Sequence, residues 1–329
     1  MAKGVGRLVQ FGVSKETTRG TANAAADFWI PFSQLDYQER FENALDEESI
    51  GTIEDSKGQT RYKNWAEGTV KCPIEDKSFP LILYATLGTL NSTTNADGSG
   101  TVRNHTITVG QTAQHQALTL FIDDPLGAQD YKHANGVIDT LEINYEQKKF
   151  VNFSIAAKSL KGSTASLTPS VSTQNRFLPQ HTTFKVAALY SQLSTGATVV
   201  LKSLKLTISN NIESDDVLGN VAPADFLNKQ FAIEGSLEAI WQNESDFKTA
   251  ALAGTVKALR ITLANTDVTI GTSANPTVQI DLAKVYFTEI TRPVALNDLV
   301  IQQVKFKAHY STTDSLMASI LCTNLQASY

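Results

Sequence analysis

Hydrophobic and polar residues alternate along most of the chain in short runs. In each run every second residue is apolar, which places the apolar side chains on one face of an extended strand. The clearest runs are residues 105–109, 117–122, 137–143, 204–208, 278–282 and 304–308. Glycine, serine, threonine, asparagine and aspartate are frequent in the chain, and these residues favour turns. The pattern therefore predicts an all-β protein built from many short strands.

Two segments depart from this alternation and have a spacing close to the helical period. The segments are residues 77–87 and 245–252. Phe79, Leu83 and Leu87 fall on one face of the first segment. Phe247 and Ala251 are one helical turn apart in the second. We expect one short α-helix in each half of the chain.

Two other segments are predicted to lie between strands. Residues 91–100 are rich in asparagine, serine, threonine and glycine, which predicts a mobile tip. Residues 161–183 contain Pro169 and Pro179 and few apolar pairs, as is typical of a connecting segment. Because this segment lies near the middle of the chain, we predict two domains joined by a linker. The predicted boundaries are 1–162 for the first domain with an N-terminal arm, 163–183 for the linker and 184–329 for the second domain.

The two halves of the chain share an order of short motifs. The matched pairs are residues 35–42 with 206–213, 67–70 with 234–237, and 88–89 with 254–255. No single match is specific, because Glu-Gly-Thr is a common tripeptide. The shared order therefore carries the inference of an internal duplication. Chance similarity between two β-rich stretches is the alternative.

Composition and charge exclude several classes of protein. Of the 329 residues, 42% are hydrophobic, which is enough apolar material for a core. The formal net charge of −5 and the lack of a Lys/Arg-rich run argue against a dedicated nucleic-acid-binding protein. We see neither the apolar region of a secretory signal nor a run of about 18 apolar residues for a membrane span. Cys72 and Cys322 are expected to be reduced strand residues.

The residues that usually carry catalysis or bind metals are scattered. The five histidines are His105, His115, His133, His181 and His309. None has the spacing of a helical metal-ligand pair or a nearby cysteine, so we place them in solvent or on strand surfaces. The Gly-Ser-Gly at residues 98–100 lacks the Lys-Ser/Thr of a phosphate-binding loop. We expect no catalytic site, no cofactor-binding site and no metal site.

Carboxylates are concentrated between residues 36 and 55. They are Asp36, Glu39, Glu42, Asp46, Glu47, Glu48, Glu54 and Asp55. Paired carboxylates catalyse glycoside hydrolysis when they converge on a cleft, but a spacing along a loop does not establish this. Residues 46–51 also fit a calcium loop poorly. We interpret the segment as a solvated acidic loop, with an electrostatic contact to a neighbouring subunit as the alternative.

The N-terminal residues form a recognisable motif. Gly12, Glu16 and residues 20–22 fit the pattern Gly-x-x-x-Glu-x-x-x-Gly-Thr-Ala, and residues 29–31 follow as an apolar segment that ends in proline. This opening resembles that of the tail tube proteins, or major tail proteins, of long-tailed bacteriophages. The resemblance continues at residues 66–70, 87–89, 105 and its strand, 210–213, 306–308 and 324–325. It is spread over most of the chain.

This resemblance implies duplicated tail-tube domains of the β-sandwich or barrel type, whose rings stack around a continuous channel. The protein would be a structural virion protein of the tail, made in the host cytoplasm. The implied partners are other copies of the chain, the tape measure, tail terminator and tail tip proteins, and genomic DNA that passes through without sequence-specific binding. No membrane partner is implied. Three two-domain chains form the same pseudo-sixfold ring as six single-domain chains, so duplication favours a trimer over a hexamer.

Two segments are predicted to contact the next ring. They are the N-terminal arm up to Thr21 and the loop 41–62. Edge strands that pair with neighbouring subunits satisfy their free backbone groups, and head-to-tail contacts build filaments. The resemblance and the strand pattern therefore both predict self-assembly.

A binding protein of another class is the main alternative. A carbohydrate- or receptor-binding β-sandwich would use exposed aromatic platforms. The candidates are Trp29, Trp65 and Trp241 with Tyr37, Tyr62 and Phe247 nearby. Aromatic residues at strand positions more often belong to the core. A second alternative is another structural component of a phage tail or secretion apparatus, for which the same fold is expected. A hydrolase that uses the acidic loop is the least favoured alternative.

Overall fold

The structure, a computed structural model, describes residues 5–95, 97–124, 130–241, 247–294, 296 and 299–329. The strands of the first half are β1 (Gln10–Lys15), β2 (Phe28–Ile30), β3 (Gln34–Asp46), β4 (Gly58–Pro73), β5 (Gly88–Thr94), β6 (Arg103–Val109), β7 (Leu118–Asp123), β8 (Asp130–Glu146), β9 (Asn152–Ser159) and β10 (Ser163–Ala165). Those of the second half are β11 (Thr182–Ala187), β12 (Ala197–Thr198), β13 (Leu201–Ser209), β14 (Glu213–Asp215), β15 (Asp225–Leu227), β16 (Ala232–Ile240), β17 (Lys257–Ala264), β18 (Thr277–Thr291), β19 (Ile301–His309) and β20 (Ala318–Asn324). Among the described residues, the α-helices are α1 (Phe79–Leu87) and α2 (Lys248–Leu252). The all-β prediction is confirmed.

Helix α1 is buried on almost every side, and Tyr84 is its only residue that is not. Pro80 lies in its first turn, where the missing backbone N–H costs nothing. Gly88 ends the helix with a φ of 98° and donates its N–H to the carbonyl of Tyr84. Helix α2 follows the buried Phe247, while Ser245, where this helix was predicted to begin, lies outside the described residues.

The first half of the chain forms two ladders of antiparallel strands. One ladder runs β2–β1–β7–β8–β10 and the other runs β3–β4–β9–β8. Strand β8 has 17 residues and belongs to both. The register of its pairing with β7 shifts between Leu118 and Leu120 of β7. The register of its pairing with β9 shifts between Ile138 and Thr140 of β8. Such bulges bend and twist a strand, which lets β8 pass from one ladder to the other.

The second half repeats this order of pairing. Its ladders run β12–β11–β17–β18–β20 and β13–β16–β19–β18. The register shifts at the matching points, between Lys257 and Leu259 on β17 and between Phe287 and Glu289 on β18. The halves differ in their added hairpins, which are β5–β6 in the first half and β14–β15 in the second.

The strand registers refine the sequence match between the halves. Tyr37 lies opposite Gly68, and Leu206 lies opposite Gly235. Tyr37 and not Leu35 therefore corresponds to Leu206, a shift of two residues from the sequence match. A slip of two residues keeps the alternation of a strand intact, which explains why the hydrophobic pattern did not reveal it.

In the described part of the chain, two strand pairs join the halves. Residues 140–146 of β8 pair with residues 203–209 of β13, and β6 pairs with β20. The first pair merges two ladders into one sheet of eight strands, in the order β3–β4–β9–β8–β13–β16–β19–β18. This sheet positions the surface described below.

The predicted linker, residues 163–183, makes contacts of its own. Ser163–Ala165 pair with β8, Phe177 is fully buried, and Nε of Arg176 lies 3.0 Å from Oε1 of Glu75. The segment therefore lies along the first half at its start and touches both halves near its end, where Asn265 donates to the carbonyl of Arg176 at 2.9 Å and His181 lies 3.0 Å from Asp267. The domain boundaries themselves stay a prediction.

The predicted N-terminal arm is wrong for most of its length. Strand β1 lies between β2 and β7, and Phe11 and Val13 are buried at 1% and 0% exposure. Val9, Phe11 and Val13 occupy every second position, so the alternation of a strand is present here, but it covers only three apolar residues. The N-terminal segment from Gln10 onwards belongs to the folded domain.

The predicted loops are also shorter than expected. The acidic segment 36–55 and the loop 41–62 form a hairpin in which β3 pairs with β4 as far as Asp46 and Gly58. The far part of this hairpin is exposed on both faces, so its sequence shows no alternation although its strands persist. In the tip predicted at 91–100, the first four residues belong to β5, and residue 96 lies outside the described residues.

Candidate assembly surface

One face of the eight-stranded sheet is polar from β4 to β18, except where Trp65 and Val137 pack against Ile212 and Phe226. Residues that lie directly opposite one another in neighbouring strands share a face, so rows can be followed across the sheet. One row is Lys71, Ser154, Glu142, Thr207, Glu234 and Lys307. The next is Asn152, Asn144, Lys205, Ser236, Lys305 and Glu289. The rows cross the junction between the halves without interruption.

The opposite face of the same sheet belongs to the hydrophobic core. A row on that face is Val70, Ile155, Leu141, Ile208 and Ile233, all of which are fully buried. The strict alternation along these strands separates the two faces, as expected for a sheet with one face on the core and one in water. We call the exposed side the polar face.

Charges on the polar face are of both signs and are paired with each other. The Nζ–Oε distance is 2.6 Å for Lys205 and Glu142, which joins the two halves, and 2.8 Å for Lys305 and Glu289. Burial acts to raise the pKa of Glu142, but its bonds to Lys205 and Asn144 outweigh this and hold the pKa below its usual value. Exposed pairs such as these add less than about 1 kcal/mol each. Their main effect is that the polar face has no large patch of a single charge sign.

The two ends of the sheet are open edges. Within the described residues, β3 pairs only with β4, and residues 287–291 of β18 pair only with β19. Free edges of this kind present backbone N–H and C=O groups to another strand. The hairpin β3–β4 also projects beyond the core and exposes Phe41, Leu45, Ile50 and Ile53. Both features mark places where another chain can bind.

The N-terminal glutamate motif holds β1 in place. The Glu16 carboxylate accepts hydrogen bonds from the backbone N–H of Gly20 at 2.8 Å and of Asn135 at 2.7 Å. It also accepts one from the Thr119 hydroxyl at 3.1 Å. Burial raises the pKa of Glu16, and these bonds oppose that rise. Gly20 adopts a φ of 80°, and an added Cβ at Gly12 would lie 3.0 Å from the Trp29 ring, which explains both glycines of the motif.

Arg19, within the same motif, connects the first half to the second. Its Nε lies 2.8 Å from Oδ1 of Asp225, and its Nη atoms donate to the carbonyls of His115 and Phe226 at 2.6 and 2.7 Å. Burial acts to raise the pKa of Asp225, but hydrogen bonds from Asn135, the Phe226 N–H and Arg19 lower it overall. The sequence showed the motif but did not reveal this partner 206 residues away.

Four of the five histidines are buried, so their predicted placement in solvent or on strand surfaces is wrong. They are His105, His115, His133 and His181, and His309 is half-buried. Burial lowers the pKa of His105 and His115, and lowers that of His133 to about 4. The alternation of His105 with Ile107 could have shown that this histidine points into the core.

We expect His133 to make the protein less stable as the pH falls from about 6.5 to about 4. Its folded pKa lies below the unfolded value of 6.5, so in this window the unfolded chain binds a proton that the folded chain does not. Stability present above pH 6.5 is lost progressively, on the order of 3 kcal/mol at most. Urea unfolding at pH 7, 5 and 4 should show a weaker pH dependence for His133→Gln. His309→Gln is the control; equal pH dependence in all three proteins would contradict the expectation.

The candidate sugar platforms are not brought together. Trp29, Tyr37 and Phe247 are buried in the core, and the Tyr37 hydroxyl bonds to Ser159 at 2.6 Å. Trp65 donates to Glu67 on the polar face, and Arg292 lies over the ring of Trp241. The expectation that such aromatic residues belong to the core is confirmed for Trp29, Tyr37 and Phe247.

Three further features concern the described part of the chain: clusters of metal ligands, membrane-spanning helices and cysteines. No group of three or more histidine, cysteine, aspartate or glutamate side chains there lies close enough together to hold a metal ion. None of its helices is long and apolar enough to cross a membrane. Cys72 and Cys322 are free and lie in strands, as predicted, and both are buried.

Comparison with known proteins agrees with the motif at the N-terminus. None of the curated proteins compared with the chain matches it. A family model described as phage tail tube protein matches residues 6–308, which run from before β1 into the last residues of β19.

Proposed function

The chain belongs to the phage tail tube protein family, and from that membership we propose that it polymerises into stacked rings that enclose a channel for DNA. Its role as a structural component of the phage tail follows from the family. The ring, the channel and the passage of DNA during ejection are the proposal. The observation that carries it is the eight-stranded sheet with one polar face and two open edges.

We assign the polar face to the lumen of the channel. DNA binds to protein mainly through phosphate contacts with lysine and arginine, so a basic lining would retain it. On this face the cations Lys205 and Lys305 are paired with Glu142 and Glu289. A lining of balanced charge lets DNA slide without sequence-specific binding, and the protein requires no catalytic site or cofactor for this role.

We propose three chains in each ring. The shared strand order and the matching bulges support an internal duplication, with each half acting as one tube domain. Three chains then supply six four-stranded units to one closed wall, and closure removes the open edges. Further partners of the assembled tube would be the tape measure, tail terminator and tail tip proteins, after synthesis in the host cytoplasm.

Cryo-electron microscopy of the purified protein tests both parts of this proposal. We expect tubes of uniform width in which each ring contains three chains with pseudo-sixfold symmetry. Six chains in each ring would contradict the trimer but leave the tube intact. A protein that stays monomeric at high concentration, and in the presence of the other tail proteins, would contradict the tube itself.

A further inference from the structure

The junction between the two halves is a strand pair within the chain. Residues 140–146 of β8 run antiparallel to residues 203–209 of β13. Thr207 lies opposite Glu142, Ile208 opposite Leu141, and Ser209 opposite Thr140. We call this pair the internal seam.

Each strand of the internal seam has a counterpart in the other half. Strand β3 corresponds to β13, because Tyr37 and Leu206 lie opposite the matched glycines of β4 and β16. The end of β18 corresponds to the end of β8, because both follow the same bulge, after which Glu289 takes the place of Thr140. These two counterparts are the open edges of the sheet.

We propose that the open edges of neighbouring copies pair in the register of the internal seam. Residues 37–40 of one copy then run antiparallel to residues 289–292 of the next. Gln38 lies opposite Thr291, Glu39 opposite Ile290, and Arg40 opposite Glu289. The inference rests on the proposed ring and identifies the strands that close it.

The chemistry of the two edges supports this pairing. Arg40 and Glu289 both lie on the polar face and carry opposite charges, and opposite charges in directly facing positions stabilise a strand pair. Ile290 supplies an apolar side chain on the core side, where the internal seam has Leu141. Pro293 has no backbone N–H to donate, so the ladder ends just beyond the proposed segment.

Two positions differ in a way that weakens the contact between copies. Arg292, which is exposed, takes the place of Ile143, which is fully buried in the internal seam. Glu39 takes the place of Ile208, which is fully buried in the internal seam. Glu39 is exposed and lies 3.8 Å from the ammonium group of Lys161. The seam between copies is therefore more polar than the internal seam, which keeps the edge of a free chain soluble before the ring closes.

Paired cysteines test the register. Directly opposite residues have Cα atoms about 4.5–5.5 Å apart, within the range that a disulfide bridges. Oxidised tubes of the double variant Gln38→Cys/Thr291→Cys should give covalent trimers on a non-reducing gel. Gln38→Cys/Glu289→Cys is two residues out of register and should give none. Glu142→Cys/Thr207→Cys should link within one chain, and the buried Cys72 and Cys322 should not react.

The outcomes separate this inference from the proposed function. Tubes that form normally but are linked only by the out-of-register pair, or by neither pair, would overturn the inference and leave the tube intact. A chain that forms no tubes at all would overturn both.

Exchange of charges gives a second test. Arg40→Glu and Glu289→Arg should each reduce tube formation at least tenfold. The double variant should restore part of it, because each residue also faces an opposite charge in its own chain, Glu67 for Arg40 at 3.4 Å and Lys305 for Glu289 at 2.8 Å. Lys307→Glu changes a charge of the polar face away from the edges and should leave tubes intact. Failure of the double variant to restore tubes that both single variants lose would overturn the assigned pair.

Discussion

Replacing Gly68 with alanine is expected to lower the free energy of unfolding by about 3 kcal/mol or more. An added Cβ would lie 1.9 Å from the carbonyl oxygen of Asp36 and 2.5 Å from Cα of Tyr37. Both are backbone atoms of the paired strand β3, so neither can turn away as a side chain can. The strands must separate locally, and the loss is measurable by urea unfolding.

Gly235 occupies the matching position in the second half and should behave in the same direction. An added Cβ there would lie 2.3 Å from the buried ring of Phe306 and 2.8 Å from the carbonyl of Lys205. Gly58, at the start of the same strand as Gly68, has nothing within 4 Å of its added Cβ. Gly58→Ala is therefore the matched control and should change stability by less than about 0.5 kcal/mol. Equal stability of Gly68→Ala and Gly58→Ala would refute the close-approach explanation.

Removal of residues 1–21 is expected to prevent folding and not merely assembly. The deletion takes away β1, whose Phe11 and Val13 each contribute about 1.5–3 kcal/mol through burial. It also leaves Asp225 without the guanidinium of Arg19. The sum is comparable with the whole stability of a typical domain, about 5–15 kcal/mol.

Near-ultraviolet circular dichroism and limited proteolysis of the truncated chain test this expectation. Removal of residues 1–9 is the control, because residues 5–8 are exposed and β1 begins at Gln10. This shorter deletion should leave a cooperative unfolding transition. A folded chain without residues 1–21 that fails only to form tubes would restore the interpretation of this segment as an arm.

The sequence predicted most of the secondary structure, which depends on residues close together along the chain. Alternation located the strands around Ile107, Leu120 and Ile208, and the helical spacing of Phe79, Leu83 and Leu87 located α1. The strand β1 and the far part of β3–β4 were missed. In the first, the alternation is limited to three apolar residues, Val9, Phe11 and Val13. In the second, both faces are in water, so the strands show no alternating pattern.

The candidate surface could be predicted only in part. Alternation shows that Glu142 and Lys205 face away from the core, but it does not show that they face each other. That contact depends on which strands become neighbours, and β8 and β13 pair across more than 50 residues of sequence. The link between Arg19 and Asp225 is equally non-local. Local pattern determines the faces of strands, whereas packing of the whole chain determines their order.

The pairing of β6 with β20 has a consequence for how the gene can change. The hairpin β5–β6 is encoded in the first half, but its outer strand is completed only by the last strand of the second half. A gene reduced to either half would encode a protein with an uncovered strand at this place, in addition to the broken contact between β8 and β13. If the halves are the duplicated domains proposed above, they have become specialised for each other, and deletion of one half would not leave a single domain with all of its strands paired.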